Sequence, residues 1–536
     1  MKKENKVFRN KYDENKENKD NERSRGRSGG RFSGRSFEKK EYGPAVSSVS
    51  GLKDGDYFKG IVKIMRKVVP GPVVLSVSDG FASVEAVSKE CSFEAGEIVN
   101  LSGPVSERAG KLQIEIKGIV KAEADFDQII EEKSKPFDRP LSIKSDKLTV
   151  LRPYFMKIAQ RIRKAIIQNQ PILIRHHADA DGIMSGIAVE RACELFMKEI
   201  GVNPEYTLYR SPSKAPFYET MDVFRDVSFT KKLLEGHGQQ KPLILVFDNG
   251  STPEDVFAMK TLKSLGFDVI VIDHHNPVVF DRATKKTSVC PYVSLHVNPY
   301  MEGFDGQLSA GMLCYETARL VHKDFDNPLY PAISAIGDRS NNPEASEYIK
   351  NTGIAEEELK EMVIAVDFLA YNLRFNDGDG MYDDIMKNRE FRKILTDRVG
   401  EGVQTQLQST LPYLRTQEIN GVTFSHIDLE KYTLRFTYPA PGKVTGLIHD
   451  SVAEGKENMP VITIGCLSDM VILRATKPVL PVAKIIKALK KELPHASVDG
   501  GGHECAGAIK FVNAHRDAVI ESIKRQLKEL KIDSEE

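Results

Sequence analysis

Three times in this sequence a short apolar run breaks off into acidic and imidazole side chains. ILIR (172–175) leads to His177, Asp179 and Asp181, LILVF (243–247) to Asp248-Asn249-Gly250, and VIVI (269–272) to Asp273-His274-His275. Runs that are apolar throughout, rather than at alternate positions, belong to strands buried on both faces, which are the strands of a parallel sheet covered by helices. Helix-length segments between them, such as Gly182 to Ile200 and TPEDVFAMKTLKSLG, complete the strand–helix–strand alternation of an α/β fold. In an open parallel sheet the ligand crevice lies off the carboxyl ends of the strands. Side chains far apart in sequence would therefore gather at one site, and AISAIGDRS adds Asp338 at the end of a fourth apolar run.

Each piece has a plain structural use on its own. An Asp after a strand caps a helix, a DxD beside Gly forms a turn, and a His-His pair sits satisfied at a surface. Together they demand more. Four carboxylates (Asp179, Asp181, Asp248 and Asp338) in one crevice would repel and hold raised pKa values unless cations lay among them. Two divalent ions would neutralise the set, and oxygen donors joined by imidazole suit manganese, with magnesium as the alternative. Paired ions about 3.5–4 Å apart can clamp a phosphate and activate water for in-line attack, which points to phosphoester hydrolysis and also allows a pyrophosphatase.

The four segments HADADG, FDNGS, VIDHHNP and AIGDRS stand in the order of the motifs of the DHH phosphoesterase superfamily, and GGGHECAGA (500–508) resembles the signature of its associated C-terminal domain. The resemblance covers roughly residues 150–536. It implies that Asp248 bridges two metal ions, that Asp179 binds one, and that Asp181, His274 and Asp338 bind the other. His275 would contact the scissile phosphate, and Asp273 would orient the histidines. His177 stands where RecJ-type relatives usually carry an Asp, and it is expected as a ligand, with His176 as a neighbour. Gly500, Gly501, Gly502 and His503 are expected to form a loop against substrate, with Arg474 as a phosphate-binding residue. PAPGKVTG (439–446) lacks Walker spacing and reads as a loop, and Gly378-Asp379-Gly380 reads as a turn.

The flanking sequence helps to choose a substrate class. Residues 1–45 are low in aliphatic side chains and read as a disordered tail. Residues 1–42 hold 14 Lys and Arg against 8 Asp and Glu, in a chain whose net charge is zero. RSRGRSGGRFSGRSF within it suits a nucleic-acid tether, with a solubilising tail as the alternative. Residues 46–122 read as about five short strands punctuated by Gly and Pro, a small OB-like barrel able to bind single strands. A linker (123–150), the catalytic domain (151–371), connecting helices (372–415) and a smaller α/β domain (416–536) complete the chain.

The arrangement resembles archaeal RecJ-like proteins. The expected activity is exonucleolytic cleavage of single-stranded DNA or RNA, with replication or repair proteins as partners. The alternatives are an oligoribonuclease or cyclic-dinucleotide phosphodiesterase, and a non-catalytic Cdc45-like scaffold. Six scattered cysteines with no CxxC pair argue against a disulfide scaffold or a Cys-rich zinc module. With no apolar run near ~18 residues and a polar N-terminus, a cytoplasmic location off the membrane is expected.

Overall fold

The computed structural model describes residues 43–530, apart from 70, 214, 238, 375, 435, 436, 457 and 458 and the side chains of His237 and His503. The expected tail falls almost wholly outside the described residues. No described helix is long and apolar enough to cross a membrane.

The first sheet closes on itself. Tyr57–Val68 pairs antiparallel with both Val73–Ser78 and Ile98–Arg108. Ser83–Ser88 pairs antiparallel with Val73–Ser78 and parallel with Lys111–Glu115, which returns antiparallel to Ile98–Arg108. The result is a closed five-stranded barrel of the OB-like kind, with Gly118–Lys121 added outside. Inward positions such as Phe58, Val62, Leu75 and Leu101 are fully buried, as a period of two requires.

The barrel is not held at the end of a tether. Ser83 N donates to Ile200 O at 2.8 Å. Phe81 packs on Phe196 with ring centroids 6.2 Å apart, and the barrel and the following domain share one apolar core. The segment read as a linker contains the helix Phe126–Lys133, which buries Phe126 and Ile130. Its polar sequence hid this, because two apolar residues four apart suffice to seat a two-turn helix.

The long helix Asp146–Ile167 leads into the next domain. Ser145 caps it by accepting from Leu148 N at 3.2 Å, and Pro153 is carried inside. Five parallel strands come next, in the spatial order 295–297, 268–272, 243–247, 172–177, 208–213. The chain leaves Ile172–His177 for the edge strand Leu208–Ser213, then crosses back to Leu243–Phe247 on the other side. The strand order therefore reverses between Ile172–His177 and Leu243–Phe247, and a crevice opens at such a switch point. Leu243–Phe247 is buried along its whole length, which accounts for its unbroken apolar sequence.

The C-terminal domain has its own core and a six-stranded sheet in the order 415–419, 422–428, 461–466, 470–475, 506–510, 499–503. Two sequence expectations change here. PAPGKVTG is not a loop: Pro441 opens the helix Pro441–Ala453, a first-turn position where a missing N–H does no harm. Asp499–His503 is an edge strand paired antiparallel with Ala506–Lys510, not a loop. Pairing with a complete partner strand overrides the poor strand propensity of three glycines.

Candidate metal centre

The crevice at the switch point collects the acidic clusters. Asp179 caps the helix Ala180–Glu199, accepting from Gly182 N at 3.0 Å through Oδ1, while Oδ2 lies 2.9 Å from His177 Nδ1. One oxygen holds the backbone and the other faces the site. Gly182 is required, since a Cβ there would lie 2.3 Å from the His177 carbonyl oxygen.

Asp181 sits in the first turn of the same helix, buried. Its oxygens accept from Ala310 N (2.9 Å), Gly311 N (2.7 Å) and Ser334 Oγ (2.6 Å), so the N-terminus of the helix Ala310–Val321 anchors it. Asp248 comes directly after its strand in the left-handed region, φ 54°, with its N donating to Ile272 O at 3.0 Å. Such a conformation is uncommon for a residue with a side chain, although Asp tolerates it better than most, and here it brings the carboxylate to the crevice centre.

His274 donates from Nδ1 to Gly306 O at 2.8 Å, which leaves Nε2 3.2 Å from Asp248 Oδ1 and 3.4 Å from Asp181 Oδ2. His177 Nδ1 lies 3.4 Å from Asp248 Oδ2. Asp338 is not at a strand end but caps the C-terminus of the helix Leu329–Gly337, and its Oδ2 lies 3.7 Å from His274 Nδ1. Asp273 accepts from the His274 N (2.8 Å), His275 N (3.2 Å) and His275 Nδ1 (2.8 Å) on one oxygen and from Ser251 N (3.1 Å) on the other.

The electrostatics are those of a crowded acidic pocket. Burial and the neighbouring Asp248 push the Asp181 carboxyl well above its usual range. Burial, with Asp248 and Asp179 adding to it against His274, raises Asp338 to about 6. Burial disfavours charge on His177, but Asp179 and Asp248 outweigh it and hold the imidazole pKa well above normal. Burial opposes charge on Asp273 too, yet His275 keeps it well below the carboxylate range.

The residues fit divalent cations. Three overlapping groups have donor atoms within 4.8 Å of one another: His177, Asp179 and Asp248; Asp181, His274 and Asp338; and Asp248, His274 and His275. Asp248 is shared between the first group and the third. Its Oδ2 is buried and makes no hydrogen bond to the described residues, a state that a cation would relieve. His176 stands apart. It is fully buried, its Nδ1 donates to His177 O at 2.6 Å, and its Nε2 accepts from Arg210 at 3.3 Å.

Of the expected substrate residues, Arg474 lies on Met470–Ala475, half-buried. Burial and the neighbouring Arg339 lower its pKa, and Asp338 is also close enough to act on it. Gly501 faces the Glu254 carboxylate of the catalytic domain, which would lie 3.9 Å from a Cβ placed there. The side chain of His503 is outside the described residues.

Sequence reasoning missed the groups that hold the acids in place. Gly306 and Gly311 are single residues without a motif around them, and Ser334 lies inside AISAIGDRS, where only Asp338 drew notice. Ser251 and Asn298 are also missed: Asn298 Nδ2 donates to His275 O at 2.9 Å and to Ser251 Oγ at 3.0 Å. Ser251 closes the FDNGS segment, and the Asn298-Pro299 pair, a turn signal, marks the place of Asn298 in the sequence.

Fold and site together place carboxylates and imidazoles that could hold metal ions at the switch point of a parallel sheet. The model for the DHH family, N-terminal domain, matches residues 171–295. The uncharacterized protein MJ1198 of Methanocaldococcus jannaschii is 37% identical over 522 residues, 88% of this chain and 68% of its own. The structure of the PF0399 DHH domain, described as a member of the s1p family of ribosomal proteins, is 35% identical. It covers 76% of this chain and 97% of its own at a TM-score of 0.72. RecJ in complex with Mn2+ from Thermus thermophilus is 16% identical over 73% of this chain and 56% of its own, at a TM-score of 0.47. The chain belongs to the DHH family, whose members are hydrolases of phosphodiester or phosphoanhydride bonds.

Proposed function

We propose that this phosphoesterase is a RecJ-like exonuclease that removes nucleotides from single-stranded DNA or RNA, using two divalent ions with manganese preferred. The observation that carries the two-ion reading is the Asp248 carboxylate, buried between a His177–Asp179 group and a His274 group. His177 and Asp179 would hold one ion, Asp181, His274 and Asp338 the other, and Asp248 both. Divalent ions bound there supply charge neutralisation and Lewis acidity toward a phosphate.

The chain's own groups do the rest. Asp273 fixes the His275 tautomer from Nδ1, so Nε2 is the nitrogen that serves a phosphate or a leaving oxygen. Burial disfavours charge on His275 but Asp273 more than restores it, and an imidazolium suits a group that donates a proton or steadies developing negative charge. Arg474 and the Gly500–His503 strand approach from the C-terminal domain as the substrate-holding side. The barrel, continuous with the catalytic core, supports a polymeric substrate over a dinucleotide, because OB-like barrels offer single strands a surface. A cytoplasmic location and replication or repair partners accompany this reading.

The test is a time course with single strands labelled at either end, as DNA and as RNA, in manganese. Stepwise loss of nucleotides from one end is expected. Cleavage confined to fragments of a few nucleotides would move the assignment to an oligonucleotide or cyclic-dinucleotide hydrolase, and binding without cleavage would move it to a scaffold.

A further inference from the structure

The C-terminal domain carries a second concave site that the metal chemistry does not use. A cavity of about 470 Å³ lies between the start of the strand Arg415–Ile419, the end of Val422–Asp428 and the helix Arg516–Glu529. Val422–Asp428 and Val461–Cys466 are the one parallel pair among the described strands of this sheet, and their carboxyl ends, at Asp428 and Cys466, line the cavity. That is where open α/β sheets take ligands. The Gly500–His503 strand, by contrast, forms the opposite edge of the sheet. Five strand spacings, about 24 Å, separate the two edges.

The lining has two kinds of chemistry. Tyr413 and Tyr432 stack face to face, centroids 4.0 Å apart and planes within 5°, and Tyr413 is 53% exposed. An aromatic platform open to solvent suits a planar ring. Four cations (Arg415, Lys431, Arg516 and Lys524) face three acids. Asp428 is taken up by Arg516 at 2.9 Å and Glu521 by Lys524 at 2.7 Å, whereas exposed Arg415 has no ion pair among the described residues. His426 adds a buried Nδ1 with no hydrogen-bond partner among them. Burial, then Lys524 and Arg415, lower the His426 pKa.

We infer that this cavity binds a nucleotide, with its base on the Tyr413–Tyr432 platform and its phosphate between Arg415 and Lys524. The nucleotide is either free or one unit of a longer single strand. The volume falls within the range of about 300–1,000 Å³ usual for small-ligand sites.

Calorimetric titration of the full chain in EDTA tests this without any cleavage, so the result does not depend on whether the metal centre works as proposed above. The probes are adenosine 5′-monophosphate and, separately, an eight-nucleotide deoxyadenylate strand. The expected result is at least tenfold weaker binding in Arg415→Glu and in Tyr413→Ala. Both side chains are exposed, so folding is not at stake, and unchanged melting temperatures would document that. Weakening for both probes assigns a free-nucleotide site, and weakening for the strand alone assigns a polymer subsite. Absence of binding, or indifference to both variants, would overturn the inference.

Discussion

His275 donates its Nδ1 proton to Asp273 at 2.8 Å, and the same Asp273 oxygen accepts the backbone N–H of both His274 and His275. One carboxylate thus sets the tautomer of one histidine and the backbone path of both. Asp273→Asn keeps the shape but can present an amide N–H to these three donors. Such orienting partners are worth about 10–100-fold in metal affinity or activity. The expected change is therefore a fall in kcat of about that size with KM little altered, and steady-state kinetics at saturating manganese checks it. An equal fall in a variant left with wild-type His275 geometry would assign the loss elsewhere.

Asp248 separates stability from activity. In chelator its carboxylate crowds Asp181 and Asp338 but also faces the His177 and His274 imidazoles, so in Asp248→Asn lost repulsion and lost attraction offset and the melting temperature is expected to stay within a few degrees of wild type. About 1 kcal/mol corresponds to about 2–4 °C in a domain of this size. The variant should lose hydrolysis while still binding single strands. Adding manganese should raise the wild-type melting temperature, by about 2.7 kcal/mol of stabilisation at a hundredfold excess over Kd, and leave Asp248→Asn unmoved. A variant that still gains stability from manganese would refute the sharing of Asp248 between ions.

Much of this site was visible in the sequence because its signals are coarse. Unbroken apolar runs give parallel strands, and the residues just past each run lie at a strand end, so Asp179, Asp248 and His274 could be placed together from spacing alone. Asp338 obeyed the same pattern by a different route, since the apolar run before it is the buried helix Leu329–Gly337. An apolar stretch does not say whether it is helix or strand. The hidden part consists of contacts made by single residues of ordinary type: the Gly306 carbonyl under His274, and Ser334 and the Gly311 N–H on Asp181. Those depend on how the helix Ala310–Val321 docks, which no local pattern encodes. Glycine content misled at Asp499–His503 for the complementary reason, that strand pairing is decided by the partner.

Two buried histidines should make the fold acid-sensitive. Burial lowers His296 from 6.5 to about 4. Burial and Arg210 lower His176 to about 3. Between pH 6.5 and these values the unfolded chain binds protons that the folded chain refuses, so stability rises with pH and is lost as pH falls. Each unit of difference is worth about 1.4 kcal/mol, so His296 alone contributes on the order of 3 kcal/mol. His296→Gln, which can still meet the Ser251 hydroxyl now 2.8 Å from Nε2, should flatten the fall in urea midpoint between pH 7 and pH 4.5. A slope identical to wild type would remove His296 from the account.

The shared core makes the barrel a structural partner of the catalytic domain. Deleting residues 43–122 would strip the cover from Phe196 and break the Ser83–Ile200 hydrogen bond. Such a protein is expected to aggregate or melt well below wild type. Phe81→Ala, which removes the ring that packs on Phe196, should lower the melting temperature without changing kcat on a short substrate. A deletion that melts like the full chain would show that the catalytic domain needs no barrel.

Arg339 comes directly after Asp338, holds a left-handed backbone at φ 55°, and makes a bidentate contact to Asp450 of the C-terminal domain at 3.2 and 3.0 Å. Both partners are largely exposed, 70% and 47%, and such pairs contribute about 0–1 kcal/mol. Stability therefore does not account for a guanidinium at this point, next to a metal-centre carboxylate and close enough to Arg474 to lower its pKa. Two cations side by side suit a phosphate. Arg339→Ala is expected to leave the melting temperature within about 2 °C of wild type while raising KM for a single strand about tenfold, and Arg474→Ala should do the same. A KM effect with kcat nearly preserved marks binding shared by ground and transition states. If Arg339→Ala instead melted early with unchanged kinetics, the residue would be a latch between domains and nothing more.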